Sequence, residues 1–326
     1  MPPTPPAPAP TSPIAARRHV LRQTWTDPIS GQELARAPTP LEWAVFGVRD
    51  VPAWLDFATS TLVASVGQLR RVQLASILDA IIAKDAKDTT GTFAAFRPET
   101  IPLPQIPAIE RVIRETHAEV LAYGRLQVRA EASRQGVTPP LPSGDIEGAL
   151  RAFALRLAPA AGASALQQAP QPDRSPRLAT RGLTASAKIT AEGMSDAWYR
   201  RILERALGIR KTGVEGDALR GAVYTDLFDQ ADAVRGEARA QVNEAFGLGR
   251  AVEAYALQDE IELVEYSALM DTQTCEACAA LDGERFAWGS DRYYETFPPY
   301  QHCEGAKGRT NACRCVHLFL FKGRTV

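Results

Sequence analysis

All five cysteines of this 326-residue chain fall between Cys275 and Cys315. Cys275-Glu-Ala-Cys278 is a knuckle in which two thiolates can converge on one tetrahedral ion at about 2.3 Å. His302-Cys303 and Cys313-Arg-Cys315-Val-His317 follow with five further soft or imidazole donors. Such a cluster can staple a small β-rich module that lacks a large core of its own. A redox CxxC would open a helix inside a βαβ unit, whereas here the turn Leu281-Asp-Gly283 follows. The expectation is a structural Zn2+ site held by Cys275, Cys278, His302 and Cys313, with Cys303 and Cys315 as alternates. Alternate residues of an extended chain share a face, so both Cys313 and Cys315 can reach one side.

The compartment supports metal over disulfide. Met1–Pro13 is proline-rich where an export signal would be an apolar helix, and no run of about 18 apolar residues occurs. A chain expected to begin in a cytoplasm keeps its thiols reduced. With 45% hydrophobic and 23% charged residues the composition is globular, and a net charge of −1 makes no case for nucleic acid or membrane.

The remainder reads as mainly helical. Residues 1–16 form a proline-rich arm predicted to be disordered, followed by a helical N-terminal region over 17–157. Leu62, Val66, Leu69, Val72, Leu78 and Ile81 share a helix face. Pro98, Pro102, Pro104 and Pro107 mark a connector over 97–108. A helix over 108–135 turns Ile109, Val112, Ile113, Val120 and Leu121 inward, and Gly136 stops it. Ser143 or Asp145 starts a shorter helix to about Leu157. Residues 158–182 read as a linker.

A second helical region spans 183–258. It starts near Ser195 or Asp196, and Trp198, Ile202 and Leu203 share a face. A further stretch over 217–247 places Leu219, Val223, Leu227, Val234, Val242 and Phe246 in a core and ends at Gly247 and Gly249. From Asp173 to Lys211 nine Arg/Lys stand against four Asp/Glu. That excess suits a solvated helix face, with DNA contact through 174–211 as the other reading. Residues 259–326 form the cysteine-rich β module, with strands at 261–266, 285–288 and 315–321.

The series Asp271-Thr-Gln-Thr-Cys275-Glu-Ala-Cys278, Leu281-Asp282-Gly283, Pro298-Pro299-Tyr-Gln-His302 and Asn311-Ala-Cys313-Arg314-Cys315 resembles the signature of the phage head-morphogenesis (Mu F-like) minor head proteins. The likeness covers about 259–321, with helices before it as in that family. Ten residues separate His302 from Cys313 where the family has only a few, and Cys303 is additional. The resemblance implies a virion protein at the portal vertex or capsid interior, assembled in the bacterial cytoplasm. It implies portal, major capsid protein or packaged DNA as partners, no membrane segment, no small-molecule substrate and no catalysis.

An enzyme reading competes. His302, Asn311 and His317 have the order of an HNH nuclease, at compressed spacing. His117-Ala-Glu119 with the CxxC resembles half of a zinc-deaminase signature, but the halves lie 155 residues apart. His117 reads as a helix-surface histidine.

Overall fold

Two long helices set the frame: α1 (Asp50–Asp85) and α2 (Ile106–Arg134). The computed structural model describes residues 25–26, 33–34, 37–39, 42, 50–85, 105–139, 178–268, 274–298, 300, 303 and 314–323. Before α1, β1 (Trp25–Thr26) and β2 (Glu33–Leu34) pair antiparallel, a ribbon the helical reading of 17–157 did not contain. After α2 come α3 (Leu178–Arg210), α4 (Gly216–Leu227), a 3-10 turn (Asp229–Asp232) and α5 (Arg235–Ala256). The C-terminal part holds β3 (Ile261–Ser267), α6 (Glu276–Ala279), β4 (Arg285–Ala287), α7 (Asp291–Glu295) and β5 (Val316–Phe321). Helix accounts for 72% of the described residues, so the chain is mainly α, with a three-stranded antiparallel sheet ordered β4-β3-β5. No helix among the described residues is long and apolar enough to cross a membrane.

The helical faces follow from apolar spacing. On α2, Ile109, Ile113, Val120 and Val128 are buried and Arg111, Arg114, Glu115 and Glu119 exposed, as expected for a stripe at three- and four-residue steps. Leu62, Val66, Leu78 and Ile81 are buried on α1, but Val72 is 43% exposed. It falls off the stripe through Leu69 and Leu74. Pro107 lies inside α2 rather than in the connector, because the first helical turn has no use for its missing N–H. Gly67 is accounted for by packing: an added Cβ would lie 1.7 Å from the Asp232 carboxylate.

Three helical expectations fail. Residues 178–182, assigned to a linker, begin α3. Ser195 does not cap a helix; it is buried mid-α3 and accepts a hydrogen bond from Gln73 Nε2 at 3.0 Å. Gly247 and Gly249 do not end α5. Along α2 and α5 the contacts run in the same order, so the two helices lie parallel. A Cβ on Gly249 would meet the Leu121 carbonyl oxygen at 2.2 Å, and one on Gly124 the Phe246 carbonyl oxygen at 2.5 Å. Two glycines let the backbones touch, a gain that offsets their poor helix propensity.

Three buried clusters result. One joins α1, α2, the first half of α3 and α5; a second joins the far halves of α1 and α3 with α4. The third holds the sheet, Cys275, Cys278, Cys303 and Cys315, and the ends of α2 and α5. Strand β5 belongs to two of them. Val316 and Leu318 face the helical body, while Phe319 and Phe321 face the sheet's own core, which is why the strand is apolar on both sides.

Three arginines of the basic stretch are paired within the fold. Arg205 meets Asp226 at 2.7 Å, Arg210 meets Glu215 at 2.5 Å, and Arg201 donates to Gln230. The calls on residues 1–16, on a helix to Leu157 and on most of the linker lie outside the described residues.

Candidate metal centre

The site grows from the end of β3. Past Ser267, the Ala268 amide donates to Asp282 Oδ1 at 2.8 Å, and Thr274 Oγ1 donates back to the Ala268 carbonyl at 3.2 Å. Gly283 takes φ 80°, open to glycine at little cost, and its amide reaches the Tyr266 carbonyl at 2.8 Å. Leu281 is buried between them. The Leu-Asp-Gly turn thus ties the cysteine loop back onto β3 through one side chain, one backbone amide and one apolar anchor.

Within that loop Cys275 precedes α6 in extended conformation, and Cys278 lies inside the single helical turn that follows. The turn brings both sulfurs to one side. Cys303 arrives from beyond α7, its amide bonded to the Tyr300 carbonyl at 2.9 Å. Cys275 Sγ and Cys303 Sγ are 3.6 Å apart, and the three sulfurs all lie within 4.8 Å of one another. Ligands at 2.3 Å on a tetrahedral ion stand about 3.8 Å apart, so this donor set fits a thiophilic metal ion with small adjustment. Cys278 and Cys303 are 1% and 4% exposed and Cys275 is half-buried, in a wall that includes Trp288, Tyr293, Tyr294 and Phe297.

Of the expected ligands, Cys275 and Cys278 come together, joined by the alternate Cys303. His302 and Cys313 lie outside the described residues. Cys315 is buried in the same apolar cluster but is not one of the three converging thiols.

Both described histidines of the enzyme readings are buried. His317 is buried among Tyr266, Phe286, Tyr293 and Phe297. Thr296 Oγ1 lies 3.3 Å from its Nε2 and itself donates to the Arg292 carbonyl at 2.7 Å, which assigns the ring proton to Nε2. Desolvation, helped by the Arg250 charge, lowers its pKa to about 3. His117 is not on the helix surface: it is 2% exposed and faces Gln241 of α5, with its pKa lowered to about 4 by desolvation. It sits one step along the stripe through Ile113 and Val120, a placement its spacing already indicated.

Residues outside the motifs hold the module to the body. Arg250 of α5 reaches Glu131 of α2 at 2.6 Å and donates to the His317 carbonyl at 2.6 Å. Gln135, one turn after Glu131, donates to the Phe319 carbonyl at 2.8 Å and accepts from the Phe321 amide at 2.9 Å. The outer edge of β5 therefore pairs with side chains of α2 and α5 where another strand would otherwise bind. Burial pushes the Glu131 carboxyl above its ordinary range, with Arg250 opposing. Arg314, between Cys313 and Cys315, reaches Asp56 of α1 at 3.4 Å. Near the N-terminus, Thr39 and Glu42 bond reciprocally, and Glu42 Oε1 accepts from Ser267 Oγ at 2.7 Å. Glu131 and Gln135 carried a readable signal, since they continue the buried α2 stripe. Glu42 and Arg250 carried none.

No family model, curated protein or solved structure matches this chain.

Proposed function

We propose that this chain is a bacteriophage minor head protein of the Mu F-like type, acting in head morphogenesis and in genome packaging or delivery. One observation carries the reading: the ordered series of CxxC, Leu-Asp-Gly, Pro-Pro-Tyr-Gln-His and Cys-Arg-Cys, placed after long helices. Support comes from the local work of its described members. Cys275 and Cys278 gather with Cys303, the Leu281–Gly283 turn locks the loop, and Arg314 reaches the helical body.

On this reading the ion is a structural Zn2+ enclosed by thiolates, and it supplies folding energy rather than chemistry. Cys275, Cys278 and Cys303 would hold it, with His302, Cys313 or Cys315 completing the set. The partners are the portal or major capsid protein, and the place is the capsid interior or portal vertex. DNA contact through 174–211 has less support, since several of those arginines are engaged within the fold.

The nuclease alternative needs His317 within reach of water or a hydrated metal ion, as base or as ligand. A neutral ring walled by four aromatic side chains does not favour it.

Mass spectrometry of purified particles encoding this chain tests the role: the chain should be present with the portal and be captured by it from a co-expression lysate. Its absence from particles, or metal-dependent DNA cleavage lost in His302→Ala, would overturn the reading. Elemental analysis of the purified chain should give about one zinc per molecule.

A further inference from the structure

The three converging thiols differ in access. Cys278 is 1% exposed, inside the helical turn, whereas Cys275 is half-buried at the turn's entrance. The Cys275–Cys303 separation of 3.6 Å is close to the spacing a tetrahedral ion imposes and about 1.6 Å longer than a disulfide bond. One arrangement therefore serves two mutually exclusive states. An ion would keep the sulfurs apart; in its place a bond between them needs an approach of about 1.6 Å.

We propose that Cys275 and Cys303 are a redox modification site: metal ligands under reducing conditions, and a disulfide once a peroxide or a small disulfide reaches them. This rests on the metal-centre reading above. The step balances with hydrogen peroxide as oxidant. The two thiolate sulfurs lose two electrons and form one S–S bond. The peroxide O–O bond takes those electrons and breaks, leaving two hydroxides that two solvent protons convert to two waters. The ion, left with Cys278 and any remaining ligand, departs. Starting from thiols, the sulfur protons go directly to the peroxide and two waters form.

The bond would join the loop before α6 to the segment after α7, the same two segments the ion joins. A chain assembled in a reducing cytoplasm then keeps this cross-connection when it meets an oxidising exterior. The device replaces one staple by another at the same place.

The test uses the full chain, zinc-loaded and purified under reductant, then exposed to hydrogen peroxide. Trypsin cleavage at Arg250, Arg285, Arg292 and Lys307 places Cys275 and Cys278 on peptide 251–285 and Cys303 on peptide 293–307. Without reduction, the two peptides should appear linked, two hydrogens lighter than their sum, as a chromogenic chelator reports zinc release in about one-to-one proportion. Cys278→Ser should keep the link, and Cys275→Ser and Cys303→Ser should lose it. A link confined to peptide 251–285, or zinc release with only sulfinic products, would overturn the proposal. A chain holding no zinc before oxidation would overturn the metal reading; the peptide link then decides the disulfide pair separately.

Discussion

In the helical body, neighbours are apolar side chains repeating at helical spacing, from Ile109 to Val128 on α2 and from Val242 to Ala251 on α5. In the C-terminal sheet the ties are polar and come from far along the chain. Gln135 holds β5 across 184 and 186 residues, Arg250 holds it across 67, and Glu42 holds Ser267 across 225. The elements explain the difference. Long helices satisfy their own backbone and pack through a stripe, to which polar links such as Gln73–Ser195 are added. A three-residue strand and helices of four and five residues cannot bury enough to stand alone, so they need partners for an exposed edge, a tied turn and a cysteine cluster.

Arg250 belongs to both regions and should give the largest effect. Arg250→Met leaves the Glu131 carboxylate buried without its partner and is expected to cost about 3–5 kcal/mol in denaturant unfolding. Pairing it with Glu131→Met should recover most of that loss. A cost near zero for the single variant would mean that the buried pair does not join body and sheet.

Gly249→Ala probes the body alone. Overlap with the Leu121 carbonyl must push α2 and α5 apart, at about 1–3 kcal/mol. Zinc content should stay unchanged; a variant that loses metal as well would show the two regions to be one cooperative unit.

His117 gives the body a pH dependence. Its folded pKa of about 4 lies below the ordinary 6.5, so the unfolded chain takes the proton first. Stability from the neutral ring is complete above about pH 6.5 and falls as pH drops towards 4, by about 1–2 kcal/mol at pH 5. In His117→Leu the difference between unfolding at about pH 7.5 and pH 5 should shrink by that amount. An unchanged slope would place the proton uptake elsewhere.

The smallest effect is local. Chelating the ion should speed amide exchange in 274–303 and in β3 about tenfold or more, while 186–227 keeps its protection. Equal loss in both regions would contradict a staple confined to the sheet.

Much of this was legible beforehand. The α2 stripe, the core positions Leu219, Val223 and Leu227, the three strands and the turn at Gly283 are local patterns, decided within a few residues by 3.6- or 2-residue periodicity. Even His117 and Glu131 lay on a readable stripe; their polarity disguised an inward placement. Ser195 and Gly249 misled because their ordinary roles at helix ends are also local, whereas their roles here depend on Gln73 and Leu121, each more than a hundred residues away.

By itself the sequence determined that the chain is mainly helical, that a small sheet follows, and that its cysteines lie where they can gather. Only the tertiary structure decided which of them meet. Periodicity reports which face of an element is apolar, but a cysteine's neighbours depend on where two loops come to rest. It was the packing of α7 on β4, and the course of the chain beyond it, that brought Cys303 to Cys275 and Cys278. The same holds for Arg250, whose buried charge is tolerable only because Glu131 and the His317 carbonyl stand opposite it.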